Sequence, residues 1–413
     1  MAKIDRPWPV PSASVPAEAA RRLLALLVLA QFLGTSPWFA VNAVMPALQA
    51  EFGWPAAAVG TLTSAVQLGF IAGALLFAVL AIADRFPARK VFVVCALASA
   101  ACTLAAALSA ASWPALVFWR ALGGFFLAGI YPVGMKIAAQ AFPRGLGNAL
   151  GLLVGALVLG SALPHALRAM SVALPWTLVF HAVAAASVLA GLLVWRGLPP
   201  PPPEATPRAP GLNLGALASI GTDARLRASV LGYFGHMWEL YTMWVLVPFI
   251  LATRLAGAPL SWAAFTVLGA GALGCALGGR LAARLGSAWV AGTQLAVSGL
   301  CCLAAPWMLQ ASAPWFYGWL LLWGVTVAGD SPQFSTLTAS NAPREAVGSV
   351  LTLTNSIGFA ISILSIELFV RLAQGVPLAQ LLPWIGLGPL FGLIALRPLL
   401  RRGRPEPPRQ RTV

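Results

Sequence analysis

Two ionisable residues stand three positions apart in a stretch that is otherwise suited to a lipid environment. Residues 229–251 read SVLGYFGHMWELYTMWVLVPFIL, with Glu239 about eleven residues into the run and His236 one turn before it. At ~1.5 Å per residue this depth places Glu239 near the middle of a bilayer-spanning helix. Because charge within a membrane is costly, a carboxyl group there is expected to bind a proton or a ligand. The alternative is a protonated, structural Glu239 that bonds to a neighbouring helix. Trp238 and Tyr241 flank Glu239 and are candidates for the same site.

A second acid lies in the stretch VAGDSP at residues 327–332, inside another apolar run. Asp330 comes about sixteen residues into that run, nearer to one end than Glu239 is in its own run. Thr326 and Gln333, four residues before and three after, extend the helix face of Asp330 into a polar stripe. We expect this acid to serve proton coupling or a gate first, and direct substrate contact second.

Arg120 belongs to a third group of polar residues, since it shares one helical stripe with Gly124, Leu127 and Tyr131. A guanidinium that faces a cavity pairs well with an anionic ligand, which makes Arg120 a candidate anion contact. The alternative is that it extends to the membrane interface. Four uncharged polar residues within apolar runs complete the candidate cavity: Gln31, Asn42, Gln67 and Asn355.

Composition indicates a membrane protein. Of the 413 residues, 59% are hydrophobic and 9% are charged, and the mean hydropathy is +0.84. A helix needs about 20 apolar residues to cross the hydrocarbon core. Division of the chain at charged, Pro and Gly clusters gives twelve predicted spans, at residues 23–45, 57–82, 91–111, 115–140, 148–171, 174–196, 228–252, 262–284, 288–309, 314–338, 347–371 and 378–398.

The distribution of basic residues predicts the orientation. Of the 26 Lys and Arg residues, all but Arg120, Arg168, Arg254 and Arg371 fall on or beside loops that share a side with the N-terminus. Lys and Arg accumulate on cytoplasmic loops. We therefore expect a multi-pass protein of a plasma membrane, the inner membrane in bacteria, with both termini cytoplasmic. The formal charge of +15 then requires no nucleic-acid partner.

The spans form two groups of six. We expect a cytoplasmic N-terminal tail at 1–22, a six-helix bundle at 23–196, a cytoplasmic Pro-rich linker at 197–227, a second bundle at 228–398 and a basic cytoplasmic tail at 399–413. An internal repeat relates the groups, because AGIYP at 128–132 returns as AGDSP at 328–332. Two similar bundles about a pseudo-two-fold axis enclose a cavity that can open to either side in turn, as in transporters.

The loop after the second predicted span resembles the signature of the major facilitator superfamily, roughly GxxxDRxGRR or GxxxDRxGRK. Asp84, Arg85, Arg89 and Lys90 occupy matching positions, while Leu80 and Pro87 replace its two glycines. The second copy of the loop keeps Gly279, Arg284 and Gly286 but has Ala283 in place of the acid. RALGGFFLAG at 120–129 is similar to the family's RxxxGxxxA element, with Arg120 at the Arg position.

The resemblance implies an all-α membrane fold of twelve helices, in two six-helix bundles related by a pseudo-two-fold axis. It also implies a cytoplasmic gate, for which the candidates are Asp84, Arg85, Arg89, Lys90, Arg144, Arg280, Arg284 and Arg344. The gate would pair charges across the two halves when water is excluded and separate them when water returns.

The leading hypothesis is a secondary active transporter of a small solute, with an organic or inorganic anion moved by proton symport. Proton-driven efflux of hydrophobic or cationic compounds is the alternative within the same fold. A soft-metal, copper-type carrier using His236, Met237, Met243 and Cys301-Cys302 is an alternative of another class. No constellation for catalysis is present, so we expect no enzyme, cofactor or resident metal. The expected partners are the solute, protons and the lipid bilayer, with the protein working as a monomer.

Overall fold

The computed structural model describes residues 17–142, 146–198 and 211–401, and these residues form helices joined by short connections. The N-terminal bundle contains Ala17–Gly34, Ser36–Phe39, Ala40–Phe52, Ala58–Val79, Ile82–Arg85, Ala88–Leu108, Trp113–Leu127, Tyr131–Ala141, Leu146–Met170 and Thr177–Gly197. Along the chain, the short helix Ala216–Thr222 lies between the two bundles. The C-terminal bundle contains Ala224–Ala252, Gly257–Leu285, Ser287–Met308, Ala313–Gly329, Ser331–Asn341, Arg344–Ala346, Val347–Leu372, Leu378–Leu381, Leu382–Gly386 and Leu387–Leu400.

These helices make twelve spans, and the predicted fold class is confirmed. In the described residues, ten segments are long and apolar enough to cross a membrane. The other two spans are the seventh, Ala224–Ala252, and the tenth, which runs from Ala313 to Asn341 with one break. These two contain the buried acids Glu239 and Asp330.

The span limits agree with the predicted runs to within a few residues, apart from the first span. That span begins at Ala17, six residues before its apolar run, and continues to Phe52. The predicted linker contains the short helix Ala216–Thr222 and the start of the seventh span. Residues 1–16, 143–145, 199–210 and 402–413 lie outside the described residues, which removes Arg144 and the five consecutive prolines from comparison.

Four spans are interrupted beside a proline, and one of them is the twelfth, whose 3-10 segment Leu382–Gly386 contains Pro383. The first span has a short 3-10 segment, Ser36–Phe39, that contains Pro37. The fourth breaks before Tyr131-Pro132, and the tenth breaks at Asp330, just before Ser331-Pro332. Proline lacks an N–H group and fits the first turn of a helix, so each break starts a new helix. The breaks in the fourth and tenth spans are 200 residues apart, as the internal repeat requires.

Glycines let the spans cross closely, and the crossings repeat in both bundles. A Cβ atom at Gly124 in the fourth span would collide with the carbonyl of Val66 in the second. At the equivalent crossing of the tenth and eighth spans, Gly324 lies against the carbonyl of Val267. Small residues permit such close backbone approach in membranes. The two bundles therefore share packing as well as topology.

The bundles meet tightly on one side of the molecule. We call the side where the first span begins and the twelfth ends the terminal side, and the opposite one the far side. Ser362 of the eleventh span donates a 2.8 Å hydrogen bond to Gln67 of the second. Nearer the far side, Gly60 approaches the side chain of Val370, and a Cβ atom there would lie 3.3 Å from it. The structure is therefore closed on the far side.

Candidate functional site

A small cavity of about 40 Å³ lies between the two bundles at mid-span. Its lining is aromatic and aliphatic, with hydroxyl groups and one amide. The lining residues are Tyr131, Val154, Leu157, Val158, Tyr233, Met237, Leu240, Tyr241, Trp244, Ala328, Ser331, Ser335, Asn355 and Phe359. None of these side chains is Asp, Glu, His, Lys or Arg, so the lining of the cavity is uncharged.

Three of the predicted site residues line this cavity, namely Tyr131, Tyr241 and Asn355. The prediction missed Tyr233 and Trp244, which share one face of the seventh span with Tyr241. Their spacing of eight and three residues from Tyr241 was a usable signal, since it places them on the same helix face. Glu239 was assigned more importance because of its charge, and it lies on a different face.

Glu239 points into the C-terminal bundle and is only 1% exposed. Its Oε1 atom accepts hydrogen bonds from Nε1 of Trp323 at 2.7 Å and from Sγ of Cys302 at 3.3 Å. Its Oε2 atom accepts one from Oγ of Ser298 at 2.9 Å. Three donors from the ninth and tenth spans thus satisfy both carboxylate oxygens, as a buried acid requires.

His236 and Asp330 form a second polar pair within the same bundle. Nδ1 of His236 lies 2.8 Å from Oδ1 of Asp330, and both side chains are completely buried. Nε2 of His236 has no hydrogen-bond partner among the described residues. The rings of Tyr233 and Phe334 flank the imidazole, with centroids 5.7 and 6.1 Å away. The pair joins the seventh span to the break in the tenth.

Arg120 is buried, and its guanidinium bonds to the backbone of the first span. Its two terminal nitrogens donate to the carbonyls of Pro37 and Trp38 at 2.8 and 2.7 Å. These carbonyls belong to the 3-10 break, whose helical hydrogen bonds are interrupted. Arg120 therefore fixes the shape of this break, and it is absent from the lining of the central cavity.

The other predicted polar residues are dispersed. Asn42 donates to Oγ1 of Thr63 at 2.9 Å, and Gln67 accepts from Ser362 across the two bundles. Gln31 is fully buried with no hydrogen-bond partner for its amide among the described residues. Trp238 packs edge-on against Phe369. None of the four lines the central cavity.

An aromatic cluster covers the central cavity on the far side. Its members come from both bundles: Trp38, Phe39 and Phe70 from the first, and Tyr241, Trp244 and Phe359 from the second. Ring centroids across the bundle interface lie 4.8 to 6.3 Å apart, a spacing at which aromatic pairs attract each other. Tyr241, Trp244 and Phe359 belong to both the cluster and the cavity wall.

The described members of the predicted gate do not pair across the bundles, and Arg144 lies outside the described residues. Asp84 pairs with Lys136, and Arg89 donates to the carbonyl of Trp195 and stacks on its ring at 4.3 Å, all within the N-terminal bundle. The remaining described members are exposed, namely Arg85, Lys90, Arg280, Arg284 and Arg344. Lys136, the partner of Asp84, was not among the predicted gate residues.

A larger pocket of about 460 Å³ opens between the bundles on the terminal side. Asn148 of the fifth span faces residues of the C-terminal bundle that include Arg280, Gln333 and Thr336. With the far side closed and no gate ion pair joining the described loops, the structure has the terminal side open.

For the soft-metal alternative, the described residues contain no group of three His, Cys, Asp or Glu side chains able to hold a metal.

Comparisons with known proteins agree with this architecture. The model of the Major Facilitator Superfamily matches residues 27–366. The human organic anion transporter MFSD10 (TETRAN) superposes with a TM-score of 0.70 at 18% identity, over 91% of this chain and 99% of that one. A bacterial homologue of the human lysosomal transporter Spinster gives 0.69 at 18% identity, over 95% and 100% of the two chains.

Among curated relatives, a chloramphenicol resistance protein of Streptomyces lividans is 31% identical over 268 residues, 63% of this chain and 66% of that protein. The uncharacterized transporter YgaY of Escherichia coli O157:H7 is 28% identical over 236 residues, 57% and 59% of the two chains. The aligned segments thus span less than two thirds of these relatives' lengths. The family match covers most of the sequence, and the chain belongs to the Major Facilitator Superfamily of secondary transporters.

Proposed function

We propose that this protein exports small, uncharged aromatic compounds across a bacterial inner membrane, driven by protons. The observation that supports this most is the lining of the central cavity, where rings of Tyr233, Tyr241, Trp244 and Phe359 stand beside hydroxyl groups and the amide of Asn355. At about 40 Å³ the cavity has to widen before a ligand with a ring fits. Its aromatic walls then bind such a ligand by stacking and by burial of apolar surface. Hydroxyl and amide groups add hydrogen bonds without requiring charge.

The expectation of an anionic substrate depended on Arg120 as a cationic partner. In this structure its terminal nitrogens already donate to two backbone carbonyls, and no Lys or Arg lines the central cavity. Bringing an anion into that apolar space would leave its charge uncompensated, which is costly. The cavity therefore favours an uncharged compound as the cargo, which fits the hydrophobic substrates of the alternative hypothesis, efflux.

The relative from Streptomyces lividans supports the same direction of transport. Its name describes resistance to chloramphenicol, a small uncharged molecule with one aromatic ring, and it shares 31% identity with this chain over 268 residues. The buried groups Glu239, His236 and Asp330 are candidates for binding the driving proton, since each lies within a span. With the terminal side cytoplasmic, as the charge distribution predicts, the pocket opens to the side from which an exported compound enters.

Purified protein in proteoliposomes tests this proposal with radiolabelled chloramphenicol as the probe. With an imposed pH gradient, we expect accumulation of chloramphenicol against its own gradient by exchange for protons. Tyr241→Ala should raise the half-saturating concentration about three- to tenfold, because a stacking ring contributes about 0.5–1.5 kcal/mol. Trp315→Ala is the matched control, since that ring is 71% exposed at a helix end.

Two results would contradict the proposal. One is accumulation of a small anion such as benzoate that added chloramphenicol does not inhibit. The other is chloramphenicol transport that is unchanged by Tyr241→Ala while Trp315→Ala reduces it, which would place binding outside the central cavity.

A further inference from the structure

The pair of His236 and Asp330 lies between the two spaces that connect the bundles. On one side, Tyr233 stacks near His236 and lines the central cavity, as does Ser331, the neighbour of Asp330. On the other side, Gln333, one helical turn after Asp330, lines the pocket that opens on the terminal side. The pair is therefore flanked by residues that line the ligand space and, one helical turn away, by a residue that lines the route to water.

Glu239 has a different environment. Its three donors belong to Ser298, Cys302 and Trp323, none of which lines either space. Trp323 in turn packs against Trp319, with ring centroids 5.4 Å apart, and neither ring lines the central cavity. These contacts link the seventh, ninth and tenth spans and give both oxygens of Glu239 a donor, whereas Nε2 of His236 and Oδ2 of Asp330 have no hydrogen-bond partner among the described residues.

We propose that the pair of His236 and Asp330 carries the coupling proton, and that Glu239 is a positioning residue that is not needed for coupling. This assignment rests on the proposed proton-driven export and identifies the site within it. Asp330 stands at the break of the tenth span, and the helix that follows places Ser331 and Ser335 in the cavity wall. A change in the proton content of the pair is thereby transmitted directly to the ligand space.

The proton balance of the step is simple. The empty pair is a carboxylate beside a neutral imidazole, with a net charge of −1. A proton taken from water on one side forms one new N–H or O–H bond within the pair and makes it neutral. Release of that proton to water on the other side restores the original state, and one substrate molecule moves in the opposite direction. No electrons are transferred.

Other ionisable groups near the pair come from three spans. Tyr233 and Glu239 belong to the seventh span, Cys275 to the eighth, and each lies within electrostatic range of Asp330. Tyr131 of the fourth span interacts with Tyr233. No Lys or Arg belongs to this described set, so the imidazole of His236 is the group that can balance the charge of Asp330.

The first experiment needs no substrate. Infrared difference spectra of the purified protein, taken between low and high pH, report which buried groups bind protons. We expect Asp330→Asn to remove a carboxyl signal and His236→Gln to remove an imidazole signal. Both signals should remain in Glu239→Gln. Loss of the carboxyl signal in Glu239→Gln, with its retention in Asp330→Asn, would overturn the assignment whether or not the substrate class is correct.

Transport in proteoliposomes gives the second readout. For Asp330→Asn we expect loss of accumulation driven by a pH gradient, while exchange of labelled for unlabelled chloramphenicol at equal pH continues. Continued exchange also shows that the variant is folded. Glu239→Gln is the discriminating variant, and we expect it to retain both accumulation and exchange. Retained accumulation in Asp330→Asn, or its loss in Glu239→Gln alone, would refute the proposal, whereas absence of chloramphenicol transport in the unmodified protein would refute only the substrate class.

Discussion

At the scale of single residues, the polar groups inside the spans serve two purposes. Some, such as Asn355 and Tyr241, face the space between the bundles, whereas Arg120 and Glu239 hold backbone and side chains together inside one bundle. Burial without partners is unfavourable for any of them. A polar residue in a membrane span is therefore informative about function only when its hydrogen-bond partners are known.

Arg120 provides a test of whether polar residues that bond within one bundle stabilise the fold. Arg120→Gln should destabilise the protein by about 2–3 kcal/mol, because it leaves the carbonyls of Pro37 and Trp38 short of charged donors in a buried site. The melting temperature of the purified protein measures this effect. Arg371→Gln is the control, since that side chain is exposed and pairs only with Glu367, and an exposed pair contributes little. Equal stability of the two variants would contradict the structural role of Arg120.

The donors around Glu239 permit a second test. Trp323→Phe removes the indole N–H that donates to Oε1 of Glu239 at 2.7 Å but keeps an aromatic ring in place. We expect a loss of stability of about 1–3 kcal/mol, since a buried acceptor loses a partner. Combining it with Glu239→Gln should cost less than the sum of the single changes, because the two groups interact. Strict additivity in thermal unfolding would show that this hydrogen bond has no energetic importance.

At the scale of helices, close crossings at glycine set the shape of each bundle. Gly324→Ala would place a Cβ atom against the carbonyl of Val267 in the eighth span. Because the backbones must then separate, we expect a destabilisation of about 1–3 kcal/mol and reduced transport. Gly318→Ala, in the same helix, meets no atom within 4 Å. Thermal unfolding of both variants compares the two sites, and equal effects would mean that the crossing is not tightly packed.

The sequence predicted the helices better than their faces. Runs of about 20 apolar residues located all twelve spans, since lipid leaves the backbone few other options. In the seventh span nearly all residues are apolar or aromatic, so no amphipathic pattern separates its faces, and only the shared face of Tyr233, Tyr241 and Trp244 indicated its orientation. Glu239 was thus placed at the correct depth, but only the structure shows that it faces Ser298 and Trp323. Contacts between spans, which no local pattern encodes, decided the site.

At the scale of the whole molecule, transport requires the two bundles to separate on the far side. Gly60 and Val370 meet there across the interface, with a Cβ-to-Cβ distance of 3.3 Å for a side chain built at Gly60. That distance is near the range of ~3.5–4.5 Å for disulfides, so cysteines at both positions can be joined. In a background without the five buried cysteines, Gly60→Cys with Val370→Cys should stop transport after oxidation, and a reducing agent should restore it.

A pair within one bundle is the matched control. Ala96 and Gly191 both belong to the N-terminal bundle, and a Cβ atom at Gly191 would lie 3.5 Å from that of Ala96. If the bundles rock as rigid units, a disulfide between Ala96→Cys and Gly191→Cys should leave transport almost unchanged. A labelling experiment reports on the terminal side. When Arg280→Cys, in the terminal-side pocket, is added to the oxidised far-side pair, its thiol should still react with a water-soluble thiol reagent. Transport through the oxidised far-side pair would mean that substrate passes without opening of this interface, and alternating access between the two bundles would then fail for this protein.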